Sequence, residues 1–411
     1  MSADALHADH APLAQLPDIA PLKAARVGGA ASFLVALGLL SFTALLFTDI
    51  DRAWHAWLIG LVIPLLLSVA ATSFLAVHRL CGAKWTAPLK RIVEGLGAGL
   101  PLVLLAFIPF GILGLPHVYE WAWLHSHDPA ALHELLHSVA KAQWLSPERV
   151  IISTSVILLV WMFLRGQLIR LSLAEDAGAD NRAAQVRWSV AFLLVMAYTF
   201  SLVVWDLLLS LNVHSISSMW GVYELVGAVQ AFLAVLALCL LWLSRFQLKG
   251  VIREHTLKDV STWLVAWSCV WAYITFAQYV IIAFANMDEE TQWYLMRMQH
   301  GYQYPFFVEC LLRLPVPFFL LLSQHMRTKP LFIGLAAVAI LIGSLQEICW
   351  QVIPALFPNG LPPYLAFPEI LVAGGFIGAY LLLAMHFWKR HGLVARGDRD
   401  LLAAINAEHV H

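Results

Sequence analysis

Charge is scarce in this chain. Only 12% of its 411 residues are Asp, Glu, Lys or Arg, against 61% hydrophobic residues, and a soluble domain carries about twice that charge share. A soluble enzyme is excluded on that ground. The net charge of −1 supplies no field for a polyanion, so no nucleic-acid partner is expected. Cysteine is sparse as well. Cys81, Cys239, Cys269, Cys310 and Cys349 are scattered, without the spacing of an iron–sulfur, zinc or c-type haem site, and they read as small packing residues. The seventeen histidines fall in loops or at helix ends, which leaves no facing mid-span pair to ligate a membrane haem. The expectation is a chain that binds no metal or redox cofactor of its own. The stretch Met1 to Leu22 lacks the apolar core of a cleavable signal peptide and reads as a short tail.

What the chain has in abundance is apolar length. Ten runs stand out, at roughly 27–47, 54–77, 95–115, 150–171, 188–210, 220–243, 260–285, 305–323, 330–350 and 368–388. Each is about long enough to cross ~30 Å of hydrocarbon as a helix. The expected fold is therefore an all-α integral membrane protein with ten transmembrane helices. The count suggests two four-helix bundles, roughly 54–210 and 220–350, plus two peripheral helices. The membrane domain would cover 27–390, with tails at 1–26 and 391–411.

The cations are distributed unequally between the two sets of loops. Twenty of the 25 Lys and Arg residues fall at one end of the spans, among them Arg79, Lys90, Arg91, Arg165, Arg182 and Arg327. The other end keeps Arg52, Lys141, Arg149 and Arg297, and Arg313 alone lies inside a span. The positive-inside rule then puts both termini in the cytoplasm, and a bacterial inner membrane is the expected setting. The longest connection, Pro116 to Arg149, lies on the cation-poor side. Pro129 can open a short helix there, running to about Ala142. The 351–367 connection holds Pro354, Pro358, Pro362 and Pro363 and should be irregular. Trp54, Trp57, Trp121, Trp123, Trp144, Trp220 and Trp293 read mostly as interfacial anchors.

Ionisable residues within a membrane are costly and point to function. Asp206, Glu224, Glu309, Glu347 and Glu369 all fall in the cation-poor half of their spans, with Arg313 beside them. Glu309 and Arg313 are i and i+4, so they share a helix face and can pair. Pro315 and Pro317 follow and should break the eighth span near mid-membrane, and a broken helix beside a charge pair commonly lines a cavity. Polar stripes run along four further spans: Thr199, Asp206 and Ser210; Tyr223, Gly227 and Gln230; Trp271, Thr275 and Gln278; Ser344, Glu347 and Gln351. One such stripe is ordinary interhelical glue; four of them with the charge pair suggest a hydrated proton path. The basic half is poorer. Glu94 and His78 lie near its border, where they read equally as proton entry points or as residues facing headgroups.

His133-Glu134-Leu135-Leu136-His137 matches the H-E-x-x-H pattern, in which two His bind zinc and the Glu acts as general base. It sits in a short loop with no protease domain around it, and a His-rich chain makes such matches by chance. Zinc hydrolysis is not expected, and a metal-binding loop of His125, His127, His133 and His137 is a minor alternative.

The run Trp205-Asp206-Leu207-Leu208-Leu209-Ser210-Leu211-Asn212-Val213-His214, continuing to Trp220-Gly221-Val222-Tyr223, resembles the D-W-x-M-S-x-D-P-H-W-x-S-T-x-x-G-x-Y signature of a known family. Phe276-Ala277-Gln278-Tyr279 and Asn286-Met287-Asp288-Glu289-Glu290-Thr291 resemble its F-x-Q-Y and N-x-P-E-E-T elements. Arg165 to Asp176 and Trp85 to Glu94 resemble its segments at the cytoplasmic side. The family is the F subunit of alternative complex III, a quinone-associated membrane subunit distantly related to the NrfD and polysulfide-reductase membrane anchors. The similarity covers most of residues 80–350. This chain departs from it at Asn212-Val213, at Ser215 and at Asp288.

The resemblance implies ten helices in two four-helix bundles and a place in a quinol-oxidising respiratory complex. It implies as partners a sister NrfD-like membrane subunit, a periplasmic iron–sulfur subunit and multihaem cytochrome c subunits, with the Fe–S clusters and haem c on those partners. In the family the quinol pocket belongs to the sister subunit, and the subunit resembled here supports assembly and moves protons; quinone binding by this chain stays open. The expected proton-transfer residues are Asp206, His214, Glu224, Glu309 and Glu347, with Arg313 tuning Glu309; the opposite charge beside it favours ionised Glu309, which then reads as structural, with Asp206 as the relay. Two other readings stand beside this one: a proton-coupled secondary transporter with a central substrate site, and a purely structural anchor.

Overall fold

The computed structural model describes residues 25–136, 139–215, 217–360 and 367–406. It is 85% helical, with no strands among the described residues. Among the described residues nine helices are long and apolar enough to cross a membrane, so the chain is an all-α, multi-pass membrane protein. In chain order they are α1 (Ala25–Thr48), α2 (Ile50–Leu80), α3 (Lys84–Val118), α4 (Pro147–Asp176), α5 (Arg182–Leu207), α6 (Trp220–Phe246), α7 (Glu254–Ala285), then, after the interrupted eighth span, α9 (Pro330–Leu356) and α10 (Phe367–His391). The eighth span is two consecutive helices. The first, α8 (Gln303–Arg313), ends at Leu314, and a short helix Pro315–Leu320 follows. Leu314 takes φ −120°, ψ −70°, because the ring of Pro315 drives the residue before it out of the helical region.

Two other departures from regular helix also follow from Pro and Gly. The segment α3 passes through a 3-10 turn at Gly97–Gly99 and a wide π turn at Phe110–Gly114, directly after Pro109. At the π turn the Phe110 N–H turns to Phe107 O, so Ala106 O loses its i+4 donor. The indole of Trp57 supplies the replacement at 3.0 Å. This is how a helix interruption is tolerated in an apolar setting: every freed backbone group finds another partner.

The helices form two groups. In one, α2, α3, α4 and α5 pack on each other; in the other, α6, α7, α8 and α9 do. The near-continuous burial of α2 reflects its place between the groups, where it also meets α6, α9 and α10. Its apolar residues have no polar face to display, as expected of a helix buried on all sides. The first and last spans pack together outside the groups. Their seam is built on small residues: a Cβ on Gly38 would lie 2.6 Å from Gly375 Cα, and one on Gly378 would lie 2.5 Å from Ala31 O. Close backbone approach of this kind is how membrane helices gain van der Waals contact without a hydrophobic drive.

The two ends of the molecule differ. The basic end carries Lys84, Lys90, Arg91, Arg182 and Arg399, and residues 393–395 and 401–405 fold back on it with Leu393, Val394, Leu401 and Ile405 buried. Lys90 bonds Glu175 (2.5 Å) and Asp398 (2.9 Å). Arg91, fully buried, pairs with Glu94 and with Asp176 (2.5 Å). Lys90, Glu175, Asp176 and Asp398 line a half-open cavity of about 520 Å³ reached by His78, Thr86 and Gln185. The opposite end carries the long connection after α3. Helices Glu120–His127, Pro129–Leu136 and Val139–Trp144 occupy it, so the helix expected from Pro129 is present. Of the seven tryptophans expected as interfacial anchors, Trp123 and Trp144 are exposed, whereas Trp54, Trp121, Trp220 and Trp293 are buried in protein. Burial against neighbouring helices took precedence over the interface there.

Candidate functional site

The polar stripes divide between the two groups of helices. In the first group, Asp206 of α5 is buried near the long-loop end and accepts two hydrogen bonds from the Arg149 guanidinium, at 2.6 and 2.7 Å. Arg149 is itself held by Trp144 O (2.7 Å) and stacks on the Trp144 ring. Around it the end of α5 is capped by side chains: Ser210 Oγ donates to Asp206 O and Tyr119 Oη to Leu207 O, both at 2.7 Å. These occupy carbonyls that a helix C-terminus leaves without donors. Thr199, lower on the same stripe, accepts from Trp161 Nε1 of α4 at 3.0 Å. His214 lies half-buried in the loop beyond, where its backbone N–H donates to Asn212 Oδ1.

In the second group the stripes of α6, α7 and α9 meet α8. Arg313 is their centre and is fully buried. Its Nη1 pairs with Glu347 of α9 and stands 3.8 Å from Glu309 of α8. Its Nε donates to Gln230 Oε1 (2.8 Å) and its Nη2 to Gly227 O (3.3 Å), both on α6. The guanidinium also lies 4.2 Å over the Trp271 ring of α7, a favourable cation–π geometry, and Trp271 Nε1 donates to Glu347 Oε1 at 3.4 Å. The i,i+4 pair expected within α8 is thus the longer of two, and the tighter partner comes from another helix. Space for the guanidinium is made by glycine. A Cβ on Gly343 would fall 2.6 Å from Arg313 Cγ, and one on Gly227 3.1 Å from Nη2.

At 1.5 Å of rise per residue, Glu224, Glu309 and Glu347 sit roughly 6, 9 and 14 Å from the long-loop ends of their helices. Glu224 of α6 accepts from Gln351 Nε2 of α9 at 2.7 Å. Above it, the helix Asp288–Arg297 caps the group. Its Arg297 is fully buried, donates to Gln351 O (2.6 Å) and Trp293 O (3.2 Å), and stacks 3.3 Å over the Trp293 ring. Burial pushes this guanidinium down to about 9, still above neutral pH, so it carries its charge. Tyr294 of the same helix has its phenol pushed well above the ordinary value, chiefly by burial, so it remains a proton donor.

The site residues read from the sequence therefore separate. Glu224, Glu309, Arg313 and Glu347 come together; Asp206 belongs to an ion pair in the other helix group, and Glu369 is tied to Arg52 at 2.6 Å. At the basic end Glu94 is held by Arg79 and Arg91, and His78 is buried among Phe74, Trp85 and Trp263. Phe74 also meets Phe232, with ring centroids 5.4 Å apart. Arg149, Arg297 and Tyr294 complete these clusters and were not assigned to them from sequence. The signal for the arginines was their exception to the charge asymmetry: Arg52, Arg149 and Arg297 stand on the cation-poor side because they bond buried groups there.

Among the described residues no three His, Cys, Asp or Glu side chains converge for a metal ion. The side chain of His133, and His137 altogether, lie outside the described residues, as do the side chains of Asp288 and Glu289, the tail residues 1–24 and 407–411, and Pro362 and Pro363. No protein-family model matches this chain, and no curated protein is significantly similar to it.

Proposed function

We propose that the chain is a membrane subunit of a respiratory quinol-oxidising electron-transfer complex of the alternative complex III type, which supports assembly and carries protons released on quinol oxidation. The observation behind the proton role is the buried group of Glu224, Glu309 and Glu347 around a single Arg313, on the long-loop side of a helix interrupted at Leu314. One guanidinium does not neutralise three buried carboxylates, and protons are the smallest charges that can. The redox assignment rests on the resemblance of the 205–223 and 276–291 segments to the F subunit. Several residues of those segments meet at the long-loop end: Tyr223 and Trp220 are buried, and Gln278 Nε2 donates to Ser217 Oγ at 2.8 Å. In this reading the basic end faces the cytoplasm of a bacterial inner membrane. The iron–sulfur, multihaem cytochrome c and sister NrfD-like subunits then stand on the partner side, and the redox cofactors are theirs.

Mild-detergent purification of the tagged protein from its host, with subunit identification and a reduced-minus-oxidised spectrum, tests the assignment. Haem c bands and iron–sulfur partners reducible by a quinol are expected. A colourless protein arriving alone would overturn it and favour a proton-coupled transporter, the reading that the break at Leu314 beside a buried ion pair also supports.

A further inference from the structure

Glu309 has an unusual setting. Its side chain is fully buried, and neither carboxyl oxygen receives a hydrogen bond. The nearest cation, Arg313, is 3.8 Å away, too far for a hydrogen bond, and its Nε, Nη1 and Nη2 each donate elsewhere, to Gln230, Glu347 and Gly227 O. Yet Glu309 and Glu347 flank the same guanidinium nitrogen, Arg313 Nη1, which brings the two buried carboxyl groups side by side. Two ionised carboxylates are both acceptors, so such a contact is repulsive; with a proton between them it becomes a hydrogen bond.

We infer that Glu309 and Glu347 form a proton-sharing carboxyl pair, with one proton held between them and Arg313 as its fixed counter-charge. The charges of the pair itself then close, since the proton and the guanidinium together neutralise these two carboxylates; Glu224 stands outside this balance. One of the two orphaned oxygens of Glu309 gains a partner in the same step. The other groups facing the pair are Tyr223 and Glu224 from α6, Trp271 from α7, Cys310 from α8 and Tyr294 from the capping helix. Glu224 has its own donor in Gln351. Transfer within the pair breaks the O–H bond on one Glu as the O–H bond on the other forms, and Arg313 keeps its charge throughout. The pair is thus a site for one exchangeable proton, roughly 9 to 14 Å below the long-loop end by helix rise. This deepens the proton-handling reading above and rests on it for the use to which the proton is put.

Infrared spectroscopy of the full chain in lipid nanodiscs tests the pair. Wild type should show a protonated-carboxyl C=O band that shifts in D2O. Glu309→Gln and Glu347→Gln should each remove one protonated carboxyl per protein, because Arg313 alone neutralises the remaining Glu; Glu309→Asp should retain it. A band of unchanged intensity in both Gln variants would overturn the inference. If only one Gln variant folds, the same loss or persistence in that variant decides the matter. Proton release per quinol, measured in the purified complex, is read separately. A lost band with unchanged release keeps the pair and removes the relay, whereas an unchanged band overturns the pair whatever the release.

Discussion

Gln230 grips Arg313 at two points. Its Oε1 accepts from the guanidinium Nε at 2.8 Å, and its Nε2 donates to the Arg313 carbonyl at 2.8 Å. The second bond exists because Pro317 has no N–H to give that carbonyl. One side chain of α6 thereby repairs the backbone of the interrupted helix and aims its only buried cation. Ser268 of α7, accepting from the same Nε2 at 2.9 Å, fixes the amide orientation.

Gln230→Leu should lower stability by about 2–3 kcal/mol, since it strands a buried guanidinium donor and a carbonyl. Pro317→Ala returns an N–H to the helix, so the cost of Gln230→Leu should shrink by about 1 kcal/mol in that background. Thermal unfolding of the four proteins in one detergent measures the coupling; strictly additive shifts would separate the two residues.

Gly343→Ala should be poorly tolerated, because the new methyl meets Arg313 Cγ at 2.6 Å and moving that side chain breaks its bonds to Gln230, Glu347 and Gly227 O. Overpacking of this kind costs about 1–3 kcal/mol. Gly334→Ala on the same helix, whose nearest neighbour would be Leu241 Cδ1 at 3.7 Å, is the matched control and should stay within about 0.5 kcal/mol of wild type.

Asp206→Asn and Arg149→Gln should each destabilise by about 1–3 kcal/mol, discounted from a fully buried pair because the Arg149 side chain is 24% exposed. The double variant should cost less than their sum. If Asp206 is an anchor for the long connection and not a relay, Asp206→Asn will leave proton release per quinol unchanged while increasing protease cleavage between Glu120 and Trp144. Altered release with an uncut loop would restore Asp206 to the proton path.

Gly38→Leu should separate α1 from α10, because the seam leaves no room for a side chain opposite Gly375. Crosslinking between cysteines introduced at Leu34 and Gly374 should fall several-fold. Gly29→Leu, with nothing within 4 Å of its Cβ position, should leave crosslinking intact.

The spans and the break after Arg313 were legible because they rest on local rules, apolar run length and the geometry of proline. The partner choices were not. A spacing of i and i+4 brings Glu309 near Arg313, but Glu347 lies 34 residues away and approaches only because Gly343 and Gly227 let three helices close around the guanidinium. Asp206 and Arg149 are 57 residues apart, and no periodicity connects them. The π turn after Pro109 was equally invisible, since a proline in a helix permits several local outcomes. Tryptophan at a span end likewise carries no mark of whether lipid or protein will cover it.

The glycine seam between α1 and α10 joins the first span to the last. During synthesis α1 enters the bilayer some 340 residues before its mate, with α2 against one side through Phe42, Trp54 and Trp57 and its glycine face still toward lipid. The bundle consequently closes on itself only after translation has passed Phe367. Any product stopped earlier carries a first helix whose small-residue face is still open to lipid.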